Sequence, residues 1–237
     1  VRTSAARNLP DHVVQQLGRQ IVDGRLRPGA ALPREEALAQ DMAVSRTVLR
    51  EGLKLLAAKG LIESRQKTGT RVRDSRHWNQ LDPDVLAWRC AAMPTADFVE
   101  KLVEMRAIIE PAAAAAAARR RDAMQLAQLK AAYQAMADAA DLDAWARADL
   151  EFHQRVLEAA NNELMTSLFA VIDTALAAYF RLSARSAVDF KYSLPQHFAV
   201  YDAIRRRRAN AAGAAMLALG EDSRGNLRRR FRDGKAR

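Results

Sequence analysis

The chain has 237 residues, is 49% hydrophobic and carries a formal net charge of +10, a composition that supplies two modest cores and excludes general disorder. The charge is uneven, since residues 1–76 hold 15 Lys/Arg against 8 Asp/Glu and the remainder 23 against 20, so the positive field lies on the N-terminal third, where it favours a phosphate backbone with strong salt dependence. No membrane helix, lipidation signal or N-terminal apolar run is visible, which argues against a membrane partner and leads to the expectation of a cytoplasmic protein.

In chain order, the first informative stretch is Ala31 to Arg73. Pro33 closes an irregular entry, and Glu35 to Met42 carry Ala37, Leu38 and Met42 at helical spacing. Ala43-Val44 then make a turn, and Ser45 is a natural N-cap for a second helix. That helix is expected to bury Val48, Leu49, Leu53, Leu55 and Leu56 and to leave Arg46, Thr47 and Arg50 free near its start. Lys59-Gly60 stops it. Leu61 to Ser64 and Thr70 to Arg73 read as two strands around a basic loop, Arg65-Gln66-Lys67-Thr68-Gly69. Two helices, a tight turn and a basic hairpin follow the plan of a winged helix-turn-helix, in which the start of the second helix meets base edges. Arg46 and Arg50, one turn apart, suit bidentate donation to guanine O6/N7. A pair of arginines alone reads equally well as a solvated basic face; the turn, the wing and the charge balance favour double-stranded DNA.

Asp74 to Asp84 is polar and interrupted by Pro83, and reads as a linker. From Asp84 onward the apolar pattern is helical. Phe98, Leu102, Met105, Ile108 and Ile109 make one stripe, and Leu126, Leu129, Tyr133 and Met136 another. Further helices are expected over Asp143 to Ala160, Glu163 to Ala184, Leu194 to Arg208 and Asn210 to Arg232, giving an antiparallel helical bundle. Ala112 to Ala118 reads as a packed helix, because alanine is the best helix former. The arginine runs Arg205 to Arg208 and Arg228 to Arg232 read as helix ends whose charge complements the C-terminal dipole. The single Cys90 excludes an intrachain disulfide and, with no Cys/His motif around it, reads as a buried or half-buried thiol. Trp78 and Trp88 read as packing residues joining the domains.

Asp149 and His153 lie four residues apart, so both leave one face of a helix, and His197 begins another. Imidazole nitrogens with a carboxylate oxygen form a donor set for Zn, Ni or Mn. The same spacing also serves a plain hydrogen bond, with His197 capping or packing, and the residues alone leave both readings open. Arg106, with Glu104 and Glu110 alongside, suits either a ligand carboxylate or an internal ion pair. Ser193 offers a hydroxyl to a polyol or an N-cap to its helix.

The pattern LP-x-E, VSRT-x-LRE-x-L-x-x-L and KGLIE resembles the DNA-binding domain of GntR-type bacterial repressors. The segments LVEMRAIIEPAAAAAA, DLEFHQRVLEAANN and PQHFAVYDAIRRRRANAAGAAM resemble the FCD effector domain of the FadR-type branch of that family. The resemblance implies a mainly α protein: a winged domain over 1–75 with three helices and a β-hairpin, a linker over 76–94, and an all-helical effector and dimerisation domain over 95–237. It assigns DNA contact to Arg46 and Arg50 and to the wing residues Arg65, Gln66, Lys67, Thr68 and Gly69, and Arg34, Ser45 and Thr47 are expected to join them. At one position where many members carry Arg, this chain has Glu36. It assigns metal binding to Asp149, His153 and His197, with the family's last histidine replaced near Leu219; Arg106 lies in the family's E-x-R-x-x-I-E-P motif, and effector binding is expected at Arg106 and Ser193. The run RHWNQLDPDVLAWRC resembles a sugar-acid-responsive subgroup, so an aldonate is the leading effector, with lactate, citrate or a uronate as alternatives. The expected assembly is a homodimer on a pseudo-palindromic operator, regulating transcription, as a repressor and not as an enzyme.

Overall fold

The computed structural model describes residues 8–65, 69–92, 96–168 and 191–234. The chain divides into two compact units, which meet in sequence between residues 93 and 94.

The first unit contains α1 (Asn8–Val22), α2 (Glu35–Asp41), α3 (Arg46–Ala58), β1 (Ile62–Arg65), β2 (Gly69–Val72), a 3-10 turn (Ser75–His77) and α4 (Pro83–Ala91). Val13, Val14, Leu17 and Ile21 line one face of α1 and are buried with Leu38, Ala39 and Met42 of the α2 region and Leu49, Leu53 and Leu56 of α3. Ala43, at φ +52°, makes the turn between α2 and α3, and the Ser45 hydroxyl caps α3 by accepting from the Val48 amide at 3.2 Å. Gly60, at φ +78°, ends α3: its amide donates to the Ala57 carbonyl and the Leu61 amide to that of Leu56, the pattern of a Schellman cap. β1 and β2 pair antiparallel from Ile62 opposite Val72 to Arg65 opposite Gly69, with Ser64 and Thr70 hydroxyls 2.9 Å apart. This is the expected winged helix-turn-helix, shifted by one residue in the strands.

Three expectations change. Leu55 is 48% exposed. The apolar face of α3 instead runs through Gly52, where an added Cβ would lie 2.6 Å from Val13. The passage read as a linker is largely folded, because Asp82 caps α4, and Val85 and Trp88 of α4 join the α1 core. Trp88 donates through Nε1 to Gln15 Oε1 at 2.9 Å, and Lys59 Nζ meets Asp82 and Asp84 at 2.7 to 2.9 Å. Burial alone would lower the Lys59 ammonium pKa, but the two carboxylates outweigh it and raise it. Trp78 and Trp88, expected between the domains, therefore pack within the first unit, Trp78 donating to the Arg73 carbonyl at 3.2 Å.

The second unit is a helical bundle of α5 (Ala96–Arg120), α6 (Ala123–Asp138), α7 (Leu142–Ala159), α8 (Glu163–Thr166), α9 (Leu194–Arg205) and α10 (Ala209–Gly234). The helix expected over Glu163 to Ala184 is described only to Leu168, where a turn follows α8, and its remainder lies outside the described residues. Asp122 and Gln125 form a reciprocal capping box at α6, and Asp141 caps α7. The alanine run of α5 is packed as expected: Ala113, Ala114, Ala117 and Ala118 are buried, and Gly213 of α10 lies so near that a Cβ there would sit 3.2 Å from the Pro111 carbonyl. Ile108, expected on the α5 stripe, is 63% exposed. The face it was assigned belongs to Leu102, Arg106, Ile109 and Glu110. At the C-terminal ends of α5 and α9, Arg207 donates to the Arg119 and Arg121 carbonyls and Arg121 to the Arg205 carbonyl, so this arginine run caps helix ends. The side chains of Arg228 to Arg232 lie outside the described residues. Cys90 is buried.

The α1/α4 contact gives a stability prediction. A Cβ on Gly18 would lie 2.3 Å from the Trp88 ring, so Gly18→Ala should destabilise the protein by about 1–3 kcal/mol despite its better helix propensity. Gly220, inside α10, has nothing within 4 Å of that position, and Gly220→Ala should stabilise by up to about 1 kcal/mol. Urea unfolding followed by tryptophan fluorescence reads both; equal stability of the Gly18 variant and the parent would contradict the close packing.

Candidate DNA-reading face and buried metal centre

Ser45, Arg46, Thr47 and Arg50 are all exposed on the first turns of α3, and Arg34 is exposed at the N-cap of α2, where its side chain makes no cap bond. The two arginines expected to meet base edges are not free, contrary to expectation. Arg46 Nη2 pairs with Glu36 Oε1, and Arg50 Nε donates to Glu35 Oε2 at 2.7 Å. The signal for these pairs was the Glu-Glu step opening α2, but only the crossing of α2 and α3 decides which carboxylate meets which arginine. In the wing, Gly69 is exposed at φ +78°. Gln66, Lys67 and Thr68, and the side chain of Arg65, lie outside the described residues.

The second unit holds a buried polar centre on three helices. On α7 the buried positions Trp145, Ala148, Asp149, Phe152, His153, Val156 and Leu157 follow the i, i+3, i+4 rhythm of a core face, so Asp149 and His153 occupy places an apolar residue would ordinarily fill. His197 projects from the first turn of α9 and is 1% exposed. Its Nδ1 donates to the Ser193 carbonyl at 2.8 Å, which turns Nε2 toward Asp149 Oδ1 at 3.0 Å. Trp145, Phe152 and His153 surround its ring edge-on at 5.1 to 6.1 Å. His153 Nε2 lies 3.8 Å from Asp149 Oδ2.

Behind His153, α5 contributes a buried ion pair. Arg106 donates through Nε and Nη2 to the two Glu110 oxygens at 2.8 and 3.2 Å, and Glu110 Oε1 also lies 3.3 Å from His153 Nδ1. Arg106 Nη2 is 3.4 Å from His153 Nε2. Of the two partners that sequence offered Arg106, Glu110 is the one it meets. Ser193 is buried at the N-cap of α9, but its hydroxyl does not cap the helix.

Of the five buried side-chain polar atoms among the described residues that lack an aligned hydrogen-bond partner, three lie in this centre: Asp149 Oδ2, His153 Nδ1 and His197 Nε2. Burial alone would raise the Asp149 carboxyl pKa; the adjoining His197, with His153 and Arg106, outweighs this and holds it below the usual carboxylate range. Burial pushes the His153 imidazole below its ordinary value, against the pull of Glu110 and Asp149. Both directions favour an ionised Asp149 and an uncharged His153, and Arg106, paired with Glu110, adds its positive field nearby. An unpaired buried charge costs several kcal/mol, and a cation bound among these donors would offset it. Asp149, His153 and His197 each offer a ligand atom within 4.8 Å of the others, so the cluster fits a divalent metal. Leu219, at the place of the family's further histidine, is buried apolar core and supplies no metal donor.

Comparisons with known proteins agree with both units. Residues 9–72 match the family of bacterial regulatory proteins described as gntR, and residues 101–222 match the FCD domain. The galactonate operon transcriptional repressor of Escherichia coli K12 is 35% identical over 214 residues, covering 90% of this chain and 93% of the relative. The putative L-lactate dehydrogenase operon regulatory protein of Escherichia coli K12 is 30% identical over 218 residues, covering 90% and 83%. The solved structure of Lar, which controls expression of the Listeria monocytogenes agr system, is alike in fold with a TM-score of 0.66 at 21% identity, covering 97% and 98%. These families and relatives are transcriptional regulators and not catalytic enzymes. Among the described residues no helix is long and apolar enough to cross a membrane. A winged helix-turn-helix whose recognition helix opens with exposed arginines, followed by a helical bundle with a buried Asp-His-His centre, belongs to the GntR family of bacterial DNA-binding transcriptional regulators, in the branch that carries an FCD domain.

Proposed function

We propose that the protein is a cytoplasmic homodimeric repressor of sugar-acid catabolism genes, which binds a pseudo-palindromic operator and leaves it when a small hydroxylated acid such as an aldonate enters the bundle. The observation that carries this reading is the buried cluster of Asp149, His153 and His197, whose ligand atoms lie within 4.8 Å of one another beside the Arg106–Glu110 pair. The names of two relatives point to galactonate and to L-lactate metabolism, and both are hydroxycarboxylic acids. Zn, Ni or Mn suits the donor set. A divalent cation held there supplies a Lewis acid for the carboxylate and hydroxyl oxygens of such a ligand. Asp149, His153 and His197 would hold it, the Ser193 carbonyl fixing the His197 ring with Nε2 turned toward Asp149. Glu110 steadies both Arg106 and His153. Arg106 would meet the ligand carboxylate by sharing or yielding the fork it now gives Glu110, and Ser193 would offer a hydroxyl to the polyol.

Control of DNA binding follows from linkage. The effector favours a dimer geometry in which the two recognition helices no longer match successive half-sites, with a coupling of about 1–3 kcal/mol. Reciprocity requires that operator DNA weaken effector binding by the same factor.

Thermal denaturation against a panel of sugar acids and small hydroxy acids tests the reading. Aldonates should raise the midpoint and a chelator should reduce the rise; a response confined to lactate, citrate or a uronate would reassign the effector, and none from any acid would refute effector binding. Calorimetry of the stabilising acid with and without operator should give two different affinities, and one shared value would exclude the coupling. His153→Ala should lose bound metal on dialysis, read by elemental analysis of folded protein, whereas unchanged stoichiometry would rule out the assigned centre. Arg46→Ala and Arg50→Ala should each weaken operator binding by about 1–3 kcal/mol with a much smaller loss on random DNA. Equal losses on both would contradict base reading.

A further inference from the structure

We propose that Glu35 and Glu36 are positioning residues for base recognition: each carboxylate holds one arginine of α3, so that its guanidinium meets a base edge in one orientation and is withheld from indiscriminate phosphate contact. The inference rests on the DNA-binding reading of α3 and concerns how that helix discriminates.

The two pairs join the first turn of α2 to the first turns of α3, Glu36 with Arg46 and Glu35 with Arg50. They are not needed to hold the helices together. Leu38, Ala39 and Met42 already pack in one core with Leu49 and Leu53. All four side chains are well exposed, from 41% to 68%, and ion pairs in that setting add little to stability. Their effect falls instead on the charge and orientation of the reading face. Residues 1–76 are strongly basic, yet the two arginines placed to meet bases each carry a carboxylate. Such a carboxylate is repelled by phosphate, so it weakens binding to any sequence alike. It is tolerated on a base edge if the arginine it holds makes its full contact there.

The atoms used allow that contact. A guanidinium has five N–H groups, and recognition of guanine O6/N7 takes two of them. Arg50 is held through Nε, which leaves its terminal nitrogens for the base. Arg46 is held through one N–H of Nη2, and the second N–H of that nitrogen still completes a two-point fork on the free edge. With one edge fixed, a long and flexible side chain has fewer orientations to lose on binding. The sequence order of the acids is the reverse of that of the arginines, since the later glutamate, Glu36, meets the earlier arginine.

The test uses the full chain with Glu35→Gln and Glu36→Gln, which keep shape and remove charge. Each protein selects from a duplex library with randomised positions, and its affinity for the selected duplex and for a scrambled one is then measured over a range of salt. The parent should enrich guanine at defined positions. Each variant should bind scrambled DNA more tightly with a steeper salt dependence, flatten the preference at one guanine, and reduce the selected-to-scrambled ratio on the order of tenfold. Affinity rising equally on both duplexes would reduce the carboxylates to plain repulsive charges and overturn the proposal, as would variants selecting the parent motif at the parent ratio. Loss of a cytosine preference in the variants, with guanine preference intact, would also overturn it, because the carboxylates would then be reading bases themselves. A parent that enriches no motif would refute base reading by α3, a failure distinct from the others. Thermal midpoints should stay within a degree or so of the parent, as expected for exposed pairs.

Discussion

The fork of Arg106 on Glu110 is the contact around which the centre of the bundle is arranged. It places a buried positive charge on α5 against Nε2 of His153 on α7, while Glu110 holds Arg106 and lies against Nδ1 of the same imidazole. Charged groups at this depth are retained only where each has a partner. Arg106 and Glu110 satisfy one another, so the residual negative charge falls on Asp149, whose nearest polar neighbour is His197 on α9. Three helices are thereby committed to one polar centre within an otherwise apolar core of Trp145, Phe152, Val200 and Met216. A ligand carboxylate of the kind proposed would compete here for a guanidinium already in use. Its affinity therefore depends on how readily Glu110 shares that fork as well as on any new contact.

Much of this was legible in the sequence, for identifiable reasons. The winged unit announces itself because its signals are local: a Ser N-cap, an αL glycine and an alternating hairpin each act within a few residues. Asp149 and His153 stand out because polar residues interrupt an apolar rhythm on α7. The two misplaced apolar residues fail for one shared cause. Hydrophobicity alone places Leu55 and Ile108 on buried faces, whereas the actual faces are completed by Gly52 on α3 and by Arg106 and Glu110 on α5. An apolar count cannot see a core position filled by glycine or by an ion pair.

What could not be read from the sequence depends on distance through space. The meeting of Glu110 with both Arg106 and His153, the approach of His197 to Asp149, and the crossed pairs between α2 and α3 all depend on how helices pack. Sequence spacing limits the candidates, as with Glu104 and Glu110, but the helix face decides between them. The opposite lesson comes from residues 83–91. Their polar, proline-bearing approach suggests an unstructured connection, yet Pro83 sits at the start of a helix, where its missing N–H costs nothing, and Asp82 caps it.

That helix also bears on how such a protein is divided into parts. Trp88 fills the space left by Gly18, Gln15 holds the indole, and Lys59 at the end of the recognition helix is neutralised by Asp82 and Asp84. A DNA reader severed just after its wing would keep every residue that faces the operator and yet lose part of its own interior, with Gly18 left facing a void and Lys59 stripped of both carboxylates. Exchange of sensing domains between relatives, by recombination or by design, would accordingly leave the reader intact only if the junction fell beyond α4, so that the smallest heritable reading module is longer than the DNA-contacting motif it carries.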